Sequence, residues 1–525
     1  VTTVECYVVL DDGDKTFSEP AWTSTTHTHT YMADGDFRAI QNSVLDREHV
    51  HWRSKAIAII VSIGAVLTLM YAPYSATISW LYSPAEPFIE PGDAAVPPGQ
   101  PDPADPSSTQ PFPVLVVKSE MKTLHYCGFN PDLNETFPHI PPPPSSDFTL
   151  IQVQNFIRHG ARFLNNDRQC WPGQDGITYN CSLTDISIAG TNLSDHAIQH
   201  PKRIYRHQYI KDRDAFRGNC RLGQLTSFGY RQHVALGSIF KQAYIPTLLD
   251  ANLDPKQVYF RSHDMPRTLM SAQSFIKGMF PDKVTSEFTS LVDLWTMDVD
   301  DEDEVINAHD CPGVAEQRKE ALSSPAYIQH EATFGQRLNE KLSEITGIPV
   351  DGLGTNKFDC LFVSLCAGDP VPEGVDYPLM QDLDEEARFR LYHLIQYPNR
   401  IEGSKLSIGP LLREIVFGME RAVSDDPKSH RFYLYSGHDS GPIMLLLSAF
   451  SIEDEHWAPF ASYIALELYR HVNGQHFVRV IYNGVVRPLP TSGADDLIAF
   501  DQFRAMLLPM IPTSQECPDV YQRPL

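Results

Sequence analysis

Basic residues are scarce in this chain. Lys and Arg number 42 against 66 Asp and Glu, a formal net charge of -24. That excludes general nucleic-acid binding, which needs a surplus of cations over a wide surface. In so acidic a protein, arginines gathered at one place point to an anionic ligand. No Lys or Arg at all occurs between Lys55 and Lys118. Nor is there any C-x-x-C pair among the nine cysteines, whose spacings are irregular; this counts against zinc. Cys6 precedes the apolar run described next, whereas Cys127, Cys170, Cys181, Cys220, Cys311, Cys360, Cys366 and Cys517 all follow it. An even set on one side is the pattern of up to four disulfides in an oxidising compartment. Cys360 and Cys366 are near enough in sequence to close a small loop. Sequons are missing ahead of the same run and present beyond it, at Asn134, Asn180 and Asn192, in keeping with a lumenal or extracellular glycoprotein.

Long apolar stretches are also rare, and one stands out. Ala56 to Ala72 reads A-I-A-I-I-V-S-I-G-A-V-L-T-L-M-Y-A, and no charge appears until after Ala85. The length suits a transmembrane anchor over residues 53–83. Arg47, Arg53 and Lys55 flank its start, so the positive-inside rule places residues 1–52 in the cytosol as a flexible tail. The histidine doublets of that tail (His27 with His29, His49 with His51) read as solvated. Met32 opens M-A-D-G-D-F, which reads as a natural start, so residues 1–31 need not belong to the natural protein. The expectation is a single-pass type II membrane protein. Its main domain would lie in the lumen (Golgi, lysosome or elsewhere in the secretory pathway) or outside the cell. Residues 84–113, dominated by proline, small residues and acids, form a stalk. Residues 114–525 are the globular part.

Within that part, polar chemistry recurs where strands end. Leu150 to Ile157 is apolar and β-branched, then breaks into Arg158-His159-Gly160-Ala161-Arg162. One imidazole between two guanidiniums suits attack on a phosphoryl group, since arginine forks offset the negative charge that repels a nucleophile. Gly223 to Tyr244 reads as a helix capped by Thr226. Gln257 to Arg261 is a short strand leading into a helix after Pro266, which puts Arg267 at a helix start, where anions are favoured. Arg431 to Ser436 is a buried strand followed by His438-Asp439 and the apolar helix I-M-L-L-L-S-A-F. Two alternating strands follow, Tyr463 to Tyr469 and His476 to Tyr482. Residues 285–400 read as a helical, acidic insertion, with D-V-D-D-E-D-E at 298–304 taken as a solvated acidic turn. A basic segment beginning at Lys202, K-R-I-Y-R-H-Q-Y-I-K-D-R-D-A-F-R, reads as a solvated loop or as a rim that attracts a polyanionic substrate.

Four ordered segments, Arg158-His159-Gly160-Ala161-Arg162, Gly223-Gln224-Leu225-Thr226, Arg261-Ser262-x-Asp264-x-x-Arg267-Thr268 and His438-Asp439, resemble the histidine acid phosphatases. The resemblance runs from about Phe148 to the C-terminus. It implies an α/β fold, a three-layer α/β/α sandwich. The sheet would be mixed and mostly parallel, with an inserted, mainly helical cap at about 285–400. It implies that His159 becomes phosphohistidine, that Arg158, Arg162, Arg267 and His438 bind the phosphate oxygens, and that Asp439 protonates the leaving alkoxide. No cofactor and no metal is required, because arginines take the charge-stabilising role. The partners implied are a small phosphomonoester or phosphorylated sugar and the membrane; sheet-edge homodimers occur in the family. The anchor and V-R-V-I-Y-N-G at 478–484 also resemble Golgi phosphatases acting on phosphoxylose. A catalytically silent anion binder is the contrasting reading. Two positions depart from the family pattern: Leu164 stands where proline is usual, and His263 where threonine is usual. Neither position has a catalytic role in the family.

Overall fold

The computed structural model describes residues 113–522, apart from 134–137, 166–168, 182–215, 246, 284–291, 354–356 and 493–494. The tail, anchor and stalk, Cys6, Asn134, Asn192 and most of the basic segment lie outside the described residues. Among the described residues, no helix is long and apolar enough to cross a membrane.

The organising strand is β1 (Phe148–Arg158). Val153 and Ile157 enter one core and Phe156 another, so successive side chains feed both faces of the sheet. The other strands of its sheet are β2 (Val258–Ser262), β3 (Phe432–Gly437), β4 (Tyr463–His471), β5 (His476–Tyr482), β6 (Val485–Val486) and β7 (Ile498–Ala499). Their order is β6-β5-β4-β1-β3-β2, with β7 also on β5. Only β1–β3 and β3–β2 are parallel. The sheet is therefore mixed with an antiparallel majority, not mostly parallel as expected. The reason is local: four residues separate β4 from β5, far too few for a parallel crossover. Asn483 and Gly484, at φ 46° and 85°, make the two-residue turn between β5 and β6.

Helices cover both faces. On one, α1 (Ser227–Tyr244) and α2 (Pro266–Met279) pack Leu236, Phe240, Phe275 and Met279 against Phe432, Leu434 and Tyr463. Between α2 and β3 the chain forms α3 (Gly313–Leu322), α4 (Pro325–His330), α5 (Gln336–Thr346), α6 (Lys357–Ala367), α7 (Tyr377–Ile395), α8 (Arg400–Ser407) and α9 (Gly409–Val423). Most core residues of this stretch, among them Leu342 and Leu391, belong to the same cluster as Phe156 and Tyr435 of the sheet, while Cys311 and Val314 pack with Cys517 and Val520. The second face carries α9, α10 (Ile443–Phe450) and α11 (Phe500–Leu507). Polar groups on that face of β1 are not wasted: Gln152 and Gln154 donate to the α9 carbonyls of Gly418 and Ile415, each at 3.0 Å.

Four disulfides join Cys127 to Cys366, Cys170 to Cys360, Cys181 to Cys220 and Cys311 to Cys517. Cys360 and Cys366 thus close no loop with each other. Six residues along a helix rotate the side chain by about 240° net, so the two sulfurs leave α6 on different flanks. The acidic run at 298–304 is corrected as well. Glu302, Asp303 and Glu304 are buried and, with Glu414 of α9, surround the buried Arg261 guanidinium; Glu302 and Glu414 lie at 2.5 and 2.8 Å. These carboxyl groups face a buried cation, not water.

Candidate active site

The parallel strands β1 and β3 end side by side, bringing Arg158-His159 against Gly437-His438-Asp439. The His159 N–H donates to the Gly437 carbonyl at 2.9 Å. The imidazole is 2 % exposed, and its Nδ1 lies 2.8 Å from the carbonyl oxygen of Gly160. A carbonyl can only accept, so that bond assigns the proton to Nδ1 and leaves the Nε2 lone pair bare. Burial, followed by the Arg267 and Arg158 guanidiniums, presses the pKa of His159 well below its usual value. The ring is neutral, as a nucleophile must be.

The loop carrying it is held from α1 and α2. Gly160 N–H donates to Ser271 Oγ at 3.1 Å, and Ala161 N–H to Gln232 Oε1 at 2.9 Å. A Cβ at Gly160 would fall 2.5 Å from the Gly229 carbonyl oxygen, so only glycine lets the start of α1 approach this closely. Thr226 caps that helix, its hydroxyl accepting from Gly229 N–H at 3.2 Å.

Three guanidiniums surround the imidazole, each differently satisfied. Arg158 is fully enclosed: Nη2 reaches Tyr126 Oη and Asp439 Oδ2, both at 2.7 Å, and Nη1 donates to the Ala458 carbonyl. The rings of Tyr126 and Phe460 lie 4.6 and 4.3 Å from its centre. Arg162 forms a two-pronged pair with Asp359 of α6, at 3.2 and 2.5 Å. Arg267, second residue of α2, is 4 % exposed and has no carboxylate partner among the described residues. Burial and the nearby Arg162 push its pKa down to about 9. A buried cation with no counter-ion is costly; an anion placed here would relieve it.

Asp439 Oδ2 also accepts from Trp457 Nε1 at 2.7 Å, and Oδ1 from Ser440 N–H at 2.8 Å. Burial alone would raise its pKa. The Arg158 charge and these two donors outweigh burial and hold it below the ordinary carboxylate range. The His438 ring stands 5.4 Å from that of His159, and its Nε2 lies 2.8 Å from His263 Nδ1. Burial and then Arg267 depress the pKa of His438 as well.

All six residues singled out from the sequence, His159, Asp439, Arg158, Arg162, Arg267 and His438, therefore meet at one place. Sequence reading missed Tyr126, Asp359 and Trp457, which carry no motif and come from distant segments. It set aside His263, which the fold brings against His438.

The family described as histidine phosphatase superfamily (branch 2) matches residues 149–483. Counting factor 60 of Dictyostelium discoideum is 29 % identical over 360 residues, 67 % of this chain and 83 % of that protein. Prostatic acid phosphatase of Mus musculus is 29 % identical over 304 residues, covering 55 % of this chain and 78 % of its own. Lysosomal acid phosphatase of Homo sapiens is 26 % identical over 341 residues, covering 62 % and 79 %. Among solved structures, Hafnia alvei phytase covers 72 % of this chain and 100 % of its own at 13 % identity and a TM-score of 0.47. The chain is a phosphoric monoester hydrolase. It belongs to branch 2 of the histidine phosphatase superfamily, as a histidine acid phosphatase.

Proposed function

We propose that this enzyme hydrolyses phosphate monoesters in two displacements through a phosphohistidine on His159. The observation that carries the reading is the bond from His159 Nδ1 to the Gly160 carbonyl, which leaves Nε2 as the only basic nitrogen of the ring. Nε2 attacks phosphorus and the P–O bond to the alcohol breaks. Arg158, Arg162, Arg267 and His438 take the phosphoryl oxygens. Asp439 gives its proton to the departing alkoxide, then removes a proton from the water that breaks the N–P bond, which releases phosphate and restores neutral His159. In the free enzyme Asp439 is held ionised by Arg158. Once Arg158 shares its charge with a bound phosphate, the carboxylate takes up a proton from solvent more readily, and acid pH favours the loaded form.

The substrate class is a small phosphomonoester or a phosphorylated sugar, phosphoxylose among them. The four disulfides suit an oxidising environment, and two relatives are named for lysosomal and prostatic acid phosphatase. With the uncharged run at 56–72, the one-sided sequons and the proline-rich 84–113, they support a type II anchored enzyme whose domain lies in the lumen or outside the cell. The test is hydrolysis of an aryl phosphate from pH 4 to 7.5 with chelator present, beside His159→Ala. Trapping of a phosphoenzyme by an alkaline quench, which the acid-labile N–P bond survives, is expected in wild type and lost in the variant. Wild-type turnover without any trapped phosphohistidine would overturn the two-step reading.

A further inference from the structure

His263 occupies a position to which the reaction assigns no work, yet it is built into the site. Its backbone is held at four points, one of them the Met265 N–H, which donates to its carbonyl at 2.7 Å. The N–H donates to the Ser436 carbonyl at 3.1 Å, and the carbonyl accepts from Thr268 Oγ1 at 2.7 Å and Ser262 Oγ at 2.9 Å. The side chain is 3 % exposed. Its Nδ1 lies 2.8 Å from His438 Nε2, with the two rings at 89°. Its other nitrogen, Nε2, is buried with no hydrogen-bond partner among the described residues.

Two ring nitrogens at that distance must share one proton. If His438 Nε2 carried it in the neutral pair, His263 would hold its own proton on Nε2, a buried N–H without an acceptor. If His263 Nδ1 carries it, Nε2 is only an unused lone pair, the smaller penalty. His438 then bears its proton on Nδ1. The charged groups facing the pair are Arg267 from α2, Arg158 and Arg162 from the end of β1 and its loop, and Arg261 from β2; Asp439, next to His438, is tied to Arg158. With cations dominant and burial against charge, the resting pair is neutral. A phosphate dianion reverses that balance, since it brings two negative charges among the same arginines.

We propose that His263 is a positioning residue that joins His438 in one proton-sharing pair, and that the pair takes up a single proton from solvent when a phosphate dianion binds. The bridging proton stays between the rings, the added proton goes to His263 Nε2, and the pair becomes a cation beside the anion; the cost of a buried N–H without an acceptor among the described residues is offset only when the dianion is present to attract that charge. The inference rests on the assignment of His438 to the phosphate site. It makes anion affinity fall with rising pH by one proton more than the other groups of the pocket dictate, roughly tenfold per pH unit above the pKa of the free pair.

The experiment measures inhibition of aryl phosphate hydrolysis by inorganic phosphate in the full-length protein, from pH 4 to 7.5, for wild type, His263→Asn and His263→Ala. An asparagine amide sets an N–H close to the place of imidazole Nδ1 but does not titrate. The expected result is a plot of log Ki against pH that is one proton shallower in both variants, with kcat higher in His263→Asn than in His263→Ala because the asparagine still orients His438. A wild-type slope retained in His263→Asn, the variant that keeps the donor and hence the local fold, would overturn the pair. Wild type that is neither inhibited by phosphate nor trapped as a phosphoenzyme would overturn the phosphohistidine reading along with it; inhibition and trapping with unchanged slopes overturns this inference alone.

Discussion

Trp457 Nε1 donates to Asp439 Oδ2 at 2.7 Å, on the same oxygen that Arg158 Nη2 reaches at 2.7 Å. The indole and the guanidinium both favour the carboxylate form, so the residue proposed as proton donor is held against protonation until something else competes for Arg158. Trp457→Phe removes one of the two. The folded pKa of Asp439 then rises, and the alkaline limb of kcat on an alkyl phosphate moves to higher pH by roughly one unit, the worth of one hydrogen bond to a charged group. A pH–rate profile checks it.

Removing the proposed nucleophile is the sharpest change. His159→Ala lowers kcat/KM by at least about 10³-fold while leaving the thermal midpoint near that of wild type. Asp439→Asn acts differently. It slows alkyl phosphates strongly and aryl phosphates less, because phenolate leaves without a proton. Steady-state kinetics on the two substrate types separates the roles.

Asp359 gives a prediction about ligand-linked stability. It pairs with the buried Arg162 at 2.5 Å, and deleting one partner of such a pair costs about 3–5 kcal/mol because a buried charge is left alone. In Asp359→Asn, inorganic phosphate can replace the missing counter-ion. The thermal midpoint is expected to fall without ligand and to recover more with saturating phosphate than wild type gains, as ligand linkage requires. Melting curves with and without phosphate decide it.

Cys170–Cys360 and Cys127–Cys366 pin α6, the helix that carries Asp359, to segments that follow and precede Arg158-His159-Gly160-Ala161-Arg162 in the chain. Cys170→Ser with Cys360→Ser is expected to lose about 2–5 kcal/mol of stability and to raise KM, since Asp359 adjoins Cys360 and orients Arg162. Chemical denaturation and KM measured on the same preparation test both halves.

Glu304, whose carboxyl Oε2 would lie 2.8 Å from a Cβ on Gly437, sets a pH dependence of stability. Burial and then the neighbouring Glu302 carry its folded pKa well above the usual value, so the folded state holds a proton that the unfolded chain releases. Its contribution is fully present below the unfolded pKa of about 4.3 and is lost as pH rises through the folded one. Wild-type thermal midpoints should therefore fall relative to those of Glu304→Gln from acid toward neutral pH.

Much of the site was legible because its residues sit in short ordered motifs at strand ends, where β-branched runs stop and charge begins. The expectation about 298–304 erred for a physical reason. An acidic run reads as solvated unless a buried cation waits for it, and Arg261 lies some forty residues earlier in the chain. The sheet was misjudged because parallel βαβ units leave a stronger local signal than the hairpins that close the chain.

Local sequence alone determined the helix after Thr226, the strands at 258–262 and 476–482, and the gathering of Arg158, His159 and Arg162 on one turn, since caps, alternation and glycine act over a few residues. Only tertiary structure decided what holds those groups ready. Tyr126, Asp359, Trp457 and His263 reach the site, at Arg158, Arg162, Asp439 and His438, from four separate segments, through contacts whose partners stand from 18 to 197 residues apart in the chain. No local rule encodes such contacts: the energy that places them is the burial of the shared core around β1, which brings the four segments to one end of the sheet.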